Sequence, residues 1–156
     1  MIRKLLLAIV LILNCTVACI AQTQAPATTQ PTQFSVADIT IDSGDHPLAA
    51  WQVELAATGG EVKIVGVEGG DHKDVYRDPP YYDPAALAGG RIILASYTTN
   101  ETPPQGKVHV ARVHLQSRGA FTLATKVIAA ADPGATVIDA VASVNQPTTQ
   151  PSPSKE

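Results

Sequence analysis

The stretch DHKDVYRDPPYYDPAAL, residues 71 to 87, gathers four aspartates, three tyrosines, a histidine, a lysine, an arginine and three prolines between segments of Val, Ile, Ala and Gly. Three chemistries suit such a set. Paired carboxylates serve glycoside hydrolysis when they face each other at a fixed distance across a cleft. Asp71, Asp74, Asp78 and Asp83 lie together in one short connection, so no catalytic residue is assigned among them and no enzyme is expected. An oxygen-rich loop can hold calcium, but "DHKD" lacks the alternating Asp/Asn spacing and the glycine of an EF-hand loop. No cofactor and no metal site are expected; calcium is the one ion left open. The third chemistry is contact. Tyr and Arg dominate interface hot spots, which makes Arg77, Tyr81 and Tyr82 the candidate binding residues. Against this stands a structural reading, which is the expectation. The prolines stiffen the excursion, Tyr76, Tyr81 and Tyr82 are partly buried as a cap, and the aspartates cap turns.

Other signals exclude more than they offer. No Gly-x-Ser-x-Gly elbow accompanies Ser96, and no glycine-rich loop leads into Lys-Ser or Lys-Thr. Both cysteines, Cys15 and Cys19, lie near the N-terminus, so the rest of the chain has no disulfide and no thiol nucleophile. His109 and His114 are five apart, which on a regular strand places them on opposite faces. Even with a bulge restoring one face they stand too far apart to share an ion, so both read as solvated strand histidines. Trp51 alternates in phase with Val53 and Leu55 and belongs to the core rather than to a sugar-stacking platform. The Asn-Glu-Thr acceptor at Asn100 marks a polar loop, which Pro103-Pro104 continues.

Strands must carry these residues. In AAWQVELAA, Trp51, Val53, Leu55 and Ala57 share one face while Gln52 and Glu54 take the other. VARVHLQ turns Ala111, Val113 and Leu115 inward, and FTLATKVIA aligns Phe121, Leu123, Thr125 and Val127. With SVADITID, EVKIVGVE, GRIILASYTT and ATVIDAVASV, about seven strand candidates emerge, mostly separated by Gly-Gly, Pro-Pro, Asp-Pro-Gly or Arg-Gly pairs. The phase slips near Gly66 and near Val110 predict either strands buried on both sides or β-bulges. No window has helical periodicity with caps beyond one turn at DPAALAG, where Asp83 caps and Pro84 takes the first position. The pattern is that of an all-β, antiparallel β-sandwich.

The flanks differ from this core. Arg3 and Lys4 precede nine unbroken apolar residues, Leu5 to Leu13, and small residues then lead to a cleavage point after Ala21. Residues 1 to 21 therefore read as a secretory signal peptide, their apolar run being short for a membrane span of about 20 residues. Thr16-Val17-Ala18-Cys19 resembles a lipobox, so lipidation of Cys19 is the second processing route and would supply the chain's membrane attachment. Residues 22 to 33 and 145 to 156 are Pro, Thr, Gln and Ser with few apolar side chains, and read as a disordered linker and tail around one domain over 34 to 144. The whole chain carries a net charge of -3; without Arg3 and Lys4 it carries nine cationic against 14 acidic side chains, or -5. That balance, without basic clusters, argues against a nucleic-acid partner.

The order PLAAWQVELAATGGEVKIVGVEGG, GGRIILASYTT, PPQGKVHVARVHLQSRG, FTLATKVIAAAD resembles a cohesin-type domain over the whole of 34 to 144. The resemblance implies a jelly-roll-like sandwich, so that about seven to nine strands are expected, related to bacterial carbohydrate-binding modules. It also implies non-catalytic protein–protein attachment, notably to dockerin modules. The family often shows a Tyr-Asp-Pro turn where this chain has Ala56-Ala57-Thr58-Gly59-Gly60, and no dockerin-contacting residue is carried over. The expectation is an exported attachment module in the periplasm, at the cell surface or in the medium. Its partner is another exported protein or a cell-surface component. A carbohydrate-binding module recognising a polysaccharide is the alternative.

Overall fold

The computed structural model describes residues 30 to 72 and 74 to 145. The segment expected to be a signal peptide, Cys19, most of the expected linker and residues 146 to 156 lie outside the described residues. Seven strands follow one another: β1 (Gln33–Asp42), β2 (Ala50–Thr58), β3 (Glu61–Gly69), β4 (Arg91–Tyr97), β5 (Lys107–Arg118), β6 (Thr122–Ala131) and β7 (Val141–Val144). They form two sheets, of order β3-β5-β1-β7 and β4-β2-β6, in which every pairing is antiparallel. Consecutive strands always belong to different sheets, so each connection crosses the sandwich. The chain is a β-sandwich, as its two-residue alternation requires.

The core fills from the inward positions of both sheets. Ile39 and Ile41 of β1, Val53 and Leu55 of β2, Leu94 of β4 and Val113 of β5 are essentially inaccessible. Trp51 is among them, 3% exposed, as its phase with Val53 predicts. Both phase slips are β-bulges. Pairing of β1 with β5 skips from Ile39–Ala111 to Thr40–His109, which leaves Val110 as the extra residue beside Ala111, and both point inward. Pairing of β3 with β5 skips Val65, which is left exposed. A third bulge leaves Ile128 of β6 unpaired opposite Gln52 and Val53, and no phase slip in the sequence betrays it.

One expected strand contracts. Of ATVIDAVASV only the last four residues form β7, while Val137 makes an isolated bridge to Ala131 of β6. The Asp132-Pro133-Gly134 turn, in which the Asp132 carboxylate accepts from the Thr136 amide at 2.8 Å, redirects the chain before it can run on as one strand.

Candidate functional site

Residues 70 to 90 connect β3 to β4, and the way they fold decides which of their side chains are available. Gly69 and Gly70 let the chain double back. A Cβ on Gly69 would stand 2.0 Å from the Arg77 carbonyl oxygen, and one on Gly70 would stand 2.0 Å from that of His109. Only glycine admits so close a backbone approach. The turn then plants Tyr76 in the core. This ring is 6% exposed, lies edge-on to Trp51 at 5.9 Å and 72°, and its hydroxyl donates to the Leu48 carbonyl at 2.5 Å. Burial pushes the Tyr76 phenol well above the ordinary tyrosine range. The backbone accepts φ = 61° at Tyr76 to achieve this, a strained geometry for a bulky residue.

Beyond Tyr76 the same segment closes the sandwich. The amide and carbonyl of Tyr81 exchange hydrogen bonds with Ala95 at 2.7 and 2.9 Å, so the loop adds one rung to the outer edge of β4. Asp83 accepts from the Ala85 amide at 2.9 Å and caps a single 3-10 turn over Pro84–Ala86, as its position before Pro84 predicts. Ile64 then donates to Gly89 at 2.8 Å and accepts from Ala88 at 2.9 Å, which covers the free edge of β3. One excursion thus protects an edge of each sheet from further pairing.

The expected cap is therefore real, but the three tyrosines divide. Tyr76 is buried and Tyr82 half-buried against the core. Tyr81, expected to be partly buried, is instead 69% exposed. Its backbone is fixed to Ala95 on the edge of the sheet, so the ring projects outward. There it meets Tyr97, 64% exposed, with ring centroids 6.3 Å apart and planes within 9° of parallel. Tyr97 was legible in the sequence: Ile92 and Leu94 fix the inward phase of β4, so Ile93, Ala95 and Tyr97 point out. Two open depressions flank Tyr81. A cleft of about 710 Å³ has Arg77, Asp78, Ser96, Thr98 and both exposed tyrosines in its wall. A groove of about 470 Å³ runs between Gln52, Tyr82, Ala95 and Arg91. Arg77, Tyr81 and Tyr82 thus gather around one ridge, with Arg77 and Tyr82 on opposite sides of it.

A second polar cluster covers the outer face of the four-stranded sheet. The bulge at Val110 puts His109 on the same face as Arg112 and His114. That is the outcome a bulge produces, because the extra residue resets the alternation that would place the two histidines on opposite faces of a regular strand. His109 is also no solvated side chain, being 16% exposed. Its Nε2 lies 3.0 Å from the Ala111 carbonyl oxygen and 3.4 Å from Asp38. The Asp71 carboxylate stands 2.8 Å from Nδ1, which makes no hydrogen bond. Arg112 donates to Asp38 at 2.7 Å. That hydrogen bond, opposed by partial burial and aided by the charges of Arg112 and His109, holds the Asp38 carboxyl below its usual range. His114 pairs separately with Glu68 at 2.9 Å. The two histidines share no partner, and Asp71, rather than capping a turn, faces His109 at the start of the loop.

Two further hydroxyls are spent on the backbone. Ser43 donates to the His46 carbonyl at 2.8 Å and Thr125 to that of Ala142 at 3.0 Å. Among the described residues no three His, Asp or Glu side chains converge as a metal ion requires. What the site offers is surface: two exposed aromatic faces, an arginine, and hydroxyl and amide groups beside them. No protein-family model, curated protein or solved structure matches the chain.

Proposed function

We propose that this protein is an exported, non-catalytic attachment module. It holds another exported protein or a cell-surface component at the corner built from residues 70 to 90 and the end of β4. The observation that carries this reading is the pair Tyr81 and Tyr97, both exposed and nearly parallel on a ridge between two depressions. Large apolar side chains displayed together on a rigid edge mark contact surfaces. The backbone rung between Tyr81 and Ala95 fixes Tyr81 at little entropic cost to binding. The resemblance of the sequence to cohesin-type domains supports attachment as the role, and the apolar run near the N-terminus supports export. A carbohydrate-binding module is the second reading, favoured by the near-parallel rings.

The test compares the chain with a Tyr81→Ala, Tyr97→Ala double variant, each immobilised and exposed to an envelope extract of the source cells. The expected outcome is a component retained by the native chain and lost by the variant, with denaturation midpoints that agree. Equal retention by both would remove this corner as the contact surface.

A further inference from the structure

We infer that the component bound at this corner is a neutral polysaccharide, stacked on Tyr81 and Tyr97 and continuing across the outer face of the three-stranded sheet. The inference rests on the reading of the corner as the contact surface and names what occupies it. The two rings stack within 9° of parallel and both stay largely exposed, so the stack leaves ring surface open to the C–H face of a pyranose, whose hydroxyls seek polar partners at the rim. The rim supplies them. Ser96, Thr98 and Thr99 line the cleft on one side of Tyr81, and Gln52 lines the groove on the other. Each can donate and accept.

Strand register extends the platform. One row runs Tyr81, Ala95, Gln52, Ala129, and the next runs Tyr97, Ala50, Ala131, Val137. Alternation with the buried Trp51, Leu94 and Ala130 turns the strand members of these rows outward. Four strand lines span about 14 Å, enough to lay several sugars in file. Neither row contains an ionisable side chain other than the two phenols. Charges on this face begin one row further along, where Glu54 pairs in register with Ile93 and Lys126. In the cleft Arg77 is outnumbered by Asp74 and Asp78, so the surroundings disfavour a polyanion. A protein partner, by contrast, gains most from large anchors sunk into pockets, and the alanine rows beyond the two depressions provide none.

The experiment is affinity electrophoresis and pull-down of the full chain with mannan, a mixed-linkage β-glucan, chitin and cellulose, with alginate as the acidic comparison. At least one neutral polymer retains the chain and alginate does not. Tyr81→Ala and Tyr97→Ala each weaken retention at least tenfold. Ala129→Arg, at the far end of the row, weakens it severalfold, and none of the three moves the denaturation midpoint appreciably. Retention by no neutral polymer, preference for alginate, or binding untouched by Tyr97→Ala would each overturn the inference. Capture of a protein that depends on both tyrosines, without polysaccharide binding, overturns the ligand class and leaves the attachment reading standing. Capture and retention both indifferent to the tyrosines remove both.

Discussion

Tyr76 and Tyr81 lie five residues apart in one loop and serve opposite ends. Tyr76 turns inward through a strained backbone, stacks its edge on Trp51 and gives its hydroxyl to Leu48. Tyr81 has its backbone locked to β4 and its ring left in water. The contrast teaches that a proline-stiffened loop can be fully structured and still display a binding residue. Position is fixed by the buried ring and the backbone rung, which leaves the second ring unencumbered. On this division, damage to the inner half lowers stability, and damage to the outer half removes only contact.

The sharpest way to break that division is Trp51→Ala. The ring is 3% exposed and supports Tyr76, so its loss is expected to cost about 3–5 kcal/mol, a large share of a domain's total stability. Urea denaturation measures it, and an unchanged midpoint would refute the plug. Tyr76→Phe is milder. It keeps the ring and strands the Leu48 carbonyl, at a cost of about 1–3 kcal/mol. It also carries a pH signature. The native phenol titrates above its unfolded value, so its contribution is fully present below the unfolded tyrosine pKa of about 10 and is lost as pH rises toward the native one. Native chain and variant should therefore converge in stability only in strong alkali, and a constant gap would place the hydroxyl outside the effect.

Much of this was legible in the sequence, for physical reasons. Alternation of apolar residues identified the strands and buried Trp51, because burial on one face of a sheet has period two whatever the partner strand. The slips at Gly66 and Val110 left two outcomes, strands buried on both faces or bulges, and the register chose bulges at both. What stayed hidden depends on contacts between distant segments. Nothing local says that Tyr81 pairs with Ala95, so its exposure, and its meeting with Tyr97, could not be read from the loop alone. The bulge at Ile128 escaped because its alanine-rich neighbours carry too weak a pattern to show a slip. The burial of His109 was hidden as the exposure of Tyr81 was, since its neighbours Asp38 and Asp71 come from distant segments.

The smallest expected effect concerns the loop's other attachment, where Asp71 faces His109 and His109 faces Asp38. If stability resides in the buried Trp51–Tyr76 contact, this polar cluster on the outer face adds little, because exposed ion pairs such as Arg112–Asp38 are screened and cost side-chain entropy. Its mark should be pH dependence instead. Arg112 donates to Asp38 and depresses the native pKa of that carboxyl, so the contribution is present above the unfolded carboxylate value of about 3.9 and disappears as pH falls through the lower native one. Asp38→Asn should then lower the melting temperature slightly near pH 7, by less than either substitution above. The difference should narrow below about pH 4, and added salt at neutral pH should narrow it too. A loss as large as that of Tyr76→Phe would move the loop's anchorage from the core to the sheet face. A difference unmoved by acid would show that Asp38 acts through packing rather than charge.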